Sequence, residues 1–203
     1  SNEGHVPDQV QIADARAFDV QGILMTPFFI AGLPRSRTAW LANFLTTDES
    51  FCYHELTADC LDLAEMPEHF RRTGRRLVGD ADTSLALLYK PIKKLFPGAR
   101  WAVIERPVEE VEKSLHDDLG ITLDPGLLDL LLENLEIIKR DALVVSFNDF
   151  TESTARFIWA WCLPGIDFDE ARWKLLDPLL IQLNPAMFHA EFDARVRRFE
   201  SLF

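Results

Sequence analysis

Cysteine is scarce in this chain of 203 residues, and long apolar runs are missing. The three cysteines, Cys52, Cys60 and Cys162, have no metal-type spacing and cannot all pair, which favours buried free thiols in a reducing compartment. The histidines form no metal-type pair either, so we expect no metal site.

No apolar run approaches the roughly 20 residues of a transmembrane helix, and the start has no signal-peptide pattern. We therefore expect a cytoplasmic protein.

Positive charge is also in short supply. The chain has 21 lysines and arginines against 33 aspartates and glutamates, which gives a formal net charge of −12. Such a chain repels nucleic-acid backbones and anionic membranes, so we expect neither as a partner. An anion site in this protein must then depend on a few basic residues that are concentrated in one place.

Helix and strand patterns alternate along most of the chain, and 48% of the residues are apolar. Short apolar runs predict strands at 28–31, 51–53, 77–79, 100–106 and 142–147. Helices are predicted at 38–46, 57–66, 67–73, 82–96, 127–139 and 148–163, and a further helix is predicted to begin at 107. The helix over 82–96 should be kinked at Pro91. This alternation predicts a three-layer α/β sandwich with a mainly parallel central sheet and C-terminal helices.

No linker divides the chain, so we expect a single domain over 1–203. Residues 1–25 form its N-terminal arm, and 164–203 a helical C-terminal extension. Within that extension, apolar residues at helical spacing predict an amphipathic helix over 185–203.

The clearest functional signal lies between the first strand and the first helix. Here Gly32 and Pro34 break the chain, as in a phosphate-binding loop of a P-loop nucleotide-binding fold. Backbone N–H groups of such a loop have no intrahelical partner and point at an anion. Arg35 adds a fork of donors, and the hydroxyls of Ser36 and Thr38 add further ones.

The loop is not a Walker A motif. That motif needs a glycine, a lysine and a Ser or Thr where this chain has Arg37, Thr38 and Ala39. The sequence Gly32-Leu33-Pro34-Arg35-Ser36-x-Thr38-x-Trp40-Leu41 resembles instead the 5′-phosphosulfate loop of sulfotransferases. Those enzymes carry a sulfuryl group from 3′-phosphoadenosine 5′-phosphosulfate (PAPS) to a hydroxyl or an amine.

A second motif supports the resemblance. A predicted strand ends at Arg106, and Ser114 follows two helical turns later, as in the family's site for the 3′-phosphate of the nucleotide. The stretch 144–150 is similar to the strand and acidic turn that usually follow. The resemblance therefore covers pieces of the chain from about 28 to 163.

The resemblance implies a sulfotransferase that uses PAPS as co-substrate and no metal. The donor-binding residues would be Pro34, Arg35, Ser36, Arg37, Thr38, Ala39, Arg106 and Ser114. Arg35 would also be catalytic, by stabilising charge on the transferred group and the leaving phosphate. Arg37 departs from the family, which has a glycine there; its side chain would crowd the donor, contact it, or point outward.

The resemblance also indicates a general base, because several branches of the family use a Glu at the end of the second strand. Glu55 occupies this place and is our first candidate. His54 is the alternative, although strand alternation would direct its side chain the other way. Asp80, at the end of the third predicted strand, is the third candidate.

Two other functions stay open. A P-loop kinase or other nucleotide phosphotransferase would suit the fold, but the Walker lysine is missing. The replacement of the loop glycine by Arg37 would also suit a catalytically degenerate nucleotide-binding or assembly module. The sequence predicts a nucleotide donor as partner and leaves the acceptor unidentified.

Overall fold

The computed structural model describes residues 18–20 and 23–179. Five parallel strands lie in the order β3-β4-β2-β5-β6, and β1 pairs antiparallel with β2. The strands are β1 Phe18–Val20, β2 Ile23–Gly32, β3 Ser50–His54, β4 Leu77–Ala81, β5 Arg100–Glu105 and β6 Leu143–Ser146. The strand order reverses around β2, so a crevice opens at the carboxyl end of that strand, where ligands bind in open α/β sheets.

Helices cover both faces of this sheet. They are α1 Thr38–Phe44, α2 Leu56–Asp59, α3 Met66–Arg72, α4 Ser84–Leu87, α5 Tyr89–Leu95, α6 Val108–Leu119, α7 Pro125–Ile138, α8 Glu152–Cys162 and α9 Glu170–Leu176, with 3₁₀ turns at Leu63–Glu65 and Lys139–Asp141. Side chains of a strand alternate between faces, so Phe29 and Ala31 of β2 pack under α2–α7. Phe28 and Ile30 pack under α1, α8 and α9. The expected α/β sandwich of P-loop type is confirmed.

The central strand is longer than its apolar run predicted, because β2 begins at Ile23 and passes through Pro27. Neighbouring N–H groups of a strand face opposite edges. The Thr26 N–H donates to the Arg76 carbonyl on the β4 side, so the Pro27 nitrogen faces β5. Pairing with β5 begins only at Phe28, opposite Arg100. Pro27 therefore costs the sheet no hydrogen bond.

The helix expected over 82–96 is interrupted as its proline predicts. It divides at Leu88 into α4 and α5. A proline ring in a helix clashes with the carbonyl group four residues earlier. For Pro91 this carbonyl belongs to Leu87, the last residue of α4, so the helix breaks directly after it. The helix predicted over 57–66 is also wrong as one piece, since α2 ends at Asp59 and a 3₁₀ turn begins at Leu63.

The described residues include only part of the expected terminal segments. Of the arm 1–25 they include β1 and the start of β2, and of the extension 164–203 they include α9. The amphipathic helix predicted over 185–203 lies outside them.

Cys52 and Cys162 are buried free thiols, as expected, and Cys60 is a half-buried one. No helix in the described part of the chain is long and apolar enough to cross a membrane.

Candidate functional site

The loop from Gly32 to Arg37 joins β2 to α1 and has an unusual backbone. Arg35 and Arg37 both adopt the left-handed conformation, with φ of 66° and 62°. This conformation costs a residue with a Cβ about 1–2 kcal/mol. Gly32 is required for space, because a Cβ there would lie 3.0 Å from the Ile104 carbonyl oxygen of β5. The sequence thus accepts backbone strain to give the loop this shape.

Ser36 is fully buried beneath the loop. Its hydroxyl has no hydrogen-bond partner within residues 18–20 and 23–179. A buried polar group without a partner costs about 1–3 kcal/mol. Ser36 is not among the described residues that line either cavity near the loop, so the structure shows an unpaired hydroxyl under the loop and no open path to it.

The Arg35 side chain reaches from the loop to helix α6. Its Nε donates to the Ser114 hydroxyl at 3.2 Å, and its Nη2 lies 2.5 Å from Asp118 Oδ2. Ser114 in turn donates to the same Asp118 oxygen at 3.0 Å. The Ser114 hydrogen bond and the Arg35 guanidinium together hold the pKa of Asp118 below its usual range. A carboxylate therefore already occupies the donors of Arg35 and Ser114.

Arg106 follows β5 and supports the loop from below. Its Nη1 donates to the Arg35 carbonyl oxygen at 2.5 Å, and its guanidinium lies 4.1 Å from the centre of the Phe147 ring. Glu110 is at ion-pair distance, 3.6 Å from Nε. Burial lowers the pKa of Arg106 somewhat, and Glu110 opposes that shift. The structure thus brings Arg35, Arg106 and Ser114 together from three separate elements.

The Arg37 side chain lies over aromatic rings. Its guanidinium carbon is 5.1 Å from the centre of the Phe150 ring and 5.5 Å from that of Phe147. These distances are within the range of cation–π attraction. Arg37 also lines the cavity beside the loop, so its charge is available to an anion there.

A cavity of about 380 Å³ opens beside this loop. One wall carries the polar and charged groups of the loop and of the end of β3. The lining also includes apolar side chains, those of Leu115, Leu119, Ile121, Leu123 and Leu179. Pro34, Arg35, Thr38 and Ala39 line the cavity, whereas Arg106 borders a second cavity of about 400 Å³ behind the loop.

Both proposed bases at the end of β3 line the first cavity. The expectation that His54 points away from Glu55 was wrong. Glu55 has φ of 62°, so the alternation of the strand stops there and the His54 ring stays on the cavity side. His54 Nε2 lies 3.4 Å from the Thr38 hydroxyl and 3.9 Å from Glu55 Oε1. The two side chains therefore form one acid–base pair facing the loop.

Asp80, the third candidate base, is fully buried at the end of β4. It accepts the Leu56 N–H at 3.2 Å and is not among the described residues that line the cavity. Burial, and then the neighbouring Asp82 carboxylate, raise the pKa of Asp80 to about 8. Asp80 thus holds the start of α2 and does not reach a substrate in the cavity.

Sequence reasoning missed two members of the site. Asp118 lies one helical turn after Ser114, and this i, i+4 spacing was the signal that could have found it. Phe147 lies under both Arg37 and Arg106, which nothing in its local sequence indicates.

A separate group of possible metal ligands lies near α3. One ligand atom each of Cys60, Glu65 and His69 lies within 4.8 Å of the others, and all three residues are half-buried. Burial, and then Glu65, raise the pKa of the Cys60 thiol to about 11, so it is no reactive thiolate by itself.

Fold and site together define an α/β protein of P-loop type with a strained, arginine-bearing loop after its central strand. No protein-family model matches the chain, and no curated protein does. Among solved structures it is similar to a gluconokinase from Sinorhizobium meliloti 1021, with 11% identity and a TM-score of 0.41. That alignment covers 65% of this chain and 87% of the gluconokinase. A similarity of this degree bears on neither reaction nor substrate.

Proposed function

We propose that the protein is a sulfotransferase that moves a sulfuryl group from PAPS to a hydroxyl or amine acceptor. One observation carries the proposal: Arg35, Arg106 and Ser114 converge on a strained loop whose buried Ser36 hydroxyl has no partner in the described part of the chain. These residues are those that the sequence resemblance assigns to the two ends of the nucleotide. In an acidic protein, such a concentration of donors favours a ligand with several negative oxygens.

Each group of the site has a role in this reaction. The loop amides and the hydroxyls of Ser36 and Thr38 orient the donor, and Arg106 with Ser114 binds its 3′-phosphate. As the acceptor oxygen bonds to sulfur, the bond from sulfur to the phosphate oxygen breaks. Arg35 stabilises the charge that the leaving phosphate gains. The acceptor's proton passes to Glu55, with His54 beside it as the alternative base.

Phosphoryl transfer from a nucleotide is the second candidate, because of two acids at the end of β4. Asp82 follows that strand, which neighbours β2, and its N–H donates to the Ile30 carbonyl. P-loop phosphotransferases hold Mg²⁺ with a loop hydroxyl and an aspartate near such a strand end. Thr57 and Ser84 already donate to Asp82, so a metal would have to share this carboxylate.

The two reactions require different nucleotides, and thermal melting distinguishes them. A ligand that binds only the folded state raises the melting temperature. We expect 3′-phosphoadenosine 5′-phosphate to raise it more than 5′-AMP does, because only the former has a 3′-phosphate. Equal shifts would contradict a 3′-phosphate site. A larger shift with ATP and Mg²⁺ would instead favour phosphoryl transfer.

A matched pair of variants makes this test specific. Arg106→Ala should reduce the difference between the two adenosine nucleotides. Arg156→Ala removes a half-exposed arginine of α8 that pairs with Glu152, and it should leave the difference unchanged.

A cytoplasmic location is part of the same proposal, because the described cysteines are all free thiols.

A further inference from the structure

Three potential metal ligands meet outside the nucleotide site, on the segment that connects β3 to α3. Cys60 follows the last residue of α2, Glu65 ends the 3₁₀ turn, and His69 lies in α3. Their sulfur, oxygen and nitrogen ligand atoms all lie within 4.8 Å of one another. None of the three lines the cavity beside the loop.

We propose that Cys60, Glu65 and His69 bind a zinc ion, with a fourth coordination position left open. A thiolate, an imidazole and a carboxylate are the ligand types that Zn²⁺ takes in proteins. Bonds of about 2.0–2.3 Å place neighbouring ligands of a tetrahedral zinc about 3.5 Å apart. The three atoms, which lie within 4.8 Å of one another, would have to approach by roughly 1 Å at most to reach that distance.

Contacts around the cluster hold two of its ligands in place. The Leu61 N–H donates to Glu65 Oε2 at 3.0 Å, which fixes the carboxylate and leaves its other oxygen for an ion. The Tyr53 hydroxyl donates to the His69 carbonyl oxygen at 3.0 Å, and the Tyr53 ring meets the His69 ring edge-on. The hydrogen bond to Glu65 is of the type that orients a metal-binding carboxylate. The Tyr53 hydroxyl holds the backbone of His69, and its ring contact restricts the imidazole.

Charge and burial at the cluster also suit a cation. Asp59 and Glu65 are close enough to Cys60 to act electrostatically on its thiol. All three ligands are half-buried, so an ion would lose part of its water but could still enter from solvent. Bound zinc would join the two ends of segment 60–69 and stabilise it. This site was not predicted from the sequence, because the spacing of its Cys, Glu and His matches no common zinc motif.

Cobalt absorption tests this site directly, since Co²⁺ replaces Zn²⁺ and a thiolate ligand gives it a charge-transfer band in the near ultraviolet. We expect the reduced full chain to show this band with one equivalent of Co²⁺ and to lose it when Zn²⁺ is added. Cys60→Ser should abolish the band. His69→Gln should weaken binding by at least about tenfold, because losing a ligand costs more than losing an outer-shell partner, which already costs about 10–100-fold.

A matched histidine variant serves as control. His116 on α6 is exposed and pairs with Asp117, so His116→Gln should leave the cobalt band unchanged. Circular dichroism of each variant checks that it is folded, and His69→Gln keeps the test usable if Cys60→Ser unfolds. Cobalt binding without a thiolate band, a band that survives Cys60→Ser, or an unchanged cobalt affinity in His69→Gln overturns the proposal. The test uses no nucleotide, so its outcome is independent of the proposed reaction.

Discussion

Arg37 occupies a backbone position that suits glycine better than any other residue. Its φ of 62° costs about 1–2 kcal/mol in a residue with a side chain. Two aromatic contacts, with Phe147 and Phe150, offset part of this cost at about 0.5–1 kcal/mol each. The side chain also lines the cavity, where a permanent positive charge can contact a bound anion.

The first prediction at this scale concerns Arg37→Gly. If the guanidinium contacts the nucleotide, its removal deletes a charge-assisted hydrogen bond worth about 1.5–3 kcal/mol. We therefore expect calorimetric titration with 3′-phosphoadenosine 5′-phosphate to show binding weakened roughly tenfold or more. Arg37→Lys retains the charge and the strained backbone, so it should bind more tightly than the glycine variant. Tighter binding by Arg37→Gly than by the natural protein would show that Arg37 only crowds the loop.

Asp118 is the residue that competes most directly with the proposed donor. Its carboxylate accepts from both Arg35 and Ser114, the groups assigned to the nucleotide. Because those contacts hold its pKa below the ordinary value, Asp118 is charged at neutral pH. If the proposed function is right, a nucleotide phosphate would have to displace this carboxylate to bind.

Asp118→Asn should then increase nucleotide affinity. The side chain is half-exposed, so we expect a gain of roughly two- to fivefold, the effect of one surface ion pair. Asp117→Asn removes the neighbouring charge, which pairs with His116 and not with Arg35, and serves as control. If the two variants bind equally tightly, general charge repulsion would account for the effect. Weaker binding by Asp118→Asn would mean that Asp118 orients Arg35 for the donor.

At the scale of elements, the carboxyl end of β4 carries a buried acid. Asp80 Oδ1 binds the first N–H of α2, while Oδ2 has no hydrogen-bond partner among the residues that the structure describes. Burial and the adjacent Asp82 raise the pKa of Asp80 to about 8, from an ordinary value of 3.8. The folded protein therefore keeps this proton up to a higher pH than the unfolded chain does.

This difference makes the free energy of unfolding depend on pH. Between about pH 4 and about pH 8 the unfolded chain binds fewer protons, so stability should fall as pH rises across this range. Asp80→Asn keeps an acceptor for the Leu56 N–H and removes the titration. At pH 8 we expect this variant to raise the melting temperature by roughly 2–4 °C for each kcal/mol added to the free energy of unfolding. At pH 4 the melting temperature should change little.

Melting curves of both proteins at several pH values between those limits test this prediction. Asp82→Asn is a useful comparison, because Asp82 also follows β4 but accepts hydrogen bonds from Thr57 and Ser84. It also removes a charge that raises the pKa of Asp80, so its pH dependence should be weaker than that of the natural protein. That variant should lower the melting temperature. Parallel pH profiles for the natural protein and Asp80→Asn would show that Asp80 is ionised in the folded state.

At the scale of the whole molecule, close packing within the sheet decides which residues are possible in the core. Gly79 of β4 lies opposite Phe28 of β2 and Cys52 of β3. A Cβ at Gly79 would overlap the ring of Phe28, which is fully buried. The ring has no solvent-filled space into which it could move.

Gly79→Ala should therefore destabilise the protein, by about 1–3 kcal/mol for an overpacked core. Chemical denaturation measures this as a lower midpoint with an unchanged slope. Gly126→Ala, in the first turn of α7, is the control. Its Cβ would lie 3.2 Å from the exposed Asp124 carboxylate, which can shift, and alanine favours helix, so this change should be nearly neutral. If both variants have the same midpoint as the natural protein, the Phe28 ring adapts more easily than the packing indicates.

The sequence by itself determined the features that depend on neighbouring residues. The apolar runs identified the five parallel strands, and Pro91 indicated the break between α4 and α5, which lies three residues earlier at Leu88. The position of the loop after the central strand also followed from local patterns. These features can be read from sequence because backbone conformation, hydrophobic alternation and capping act over a few residues.

Only the tertiary structure decided which distant residues meet. The contact of Arg35 with Asp118, the shared ring under Arg37 and Arg106, and the cluster of Cys60, Glu65 and His69 depend on how helices pack against the sheet. The direction of His54 depended on the left-handed conformation of the next residue, which strand alternation does not predict. Such contacts arise from packing between elements far apart in the chain, and a local sequence pattern contains no information about that packing.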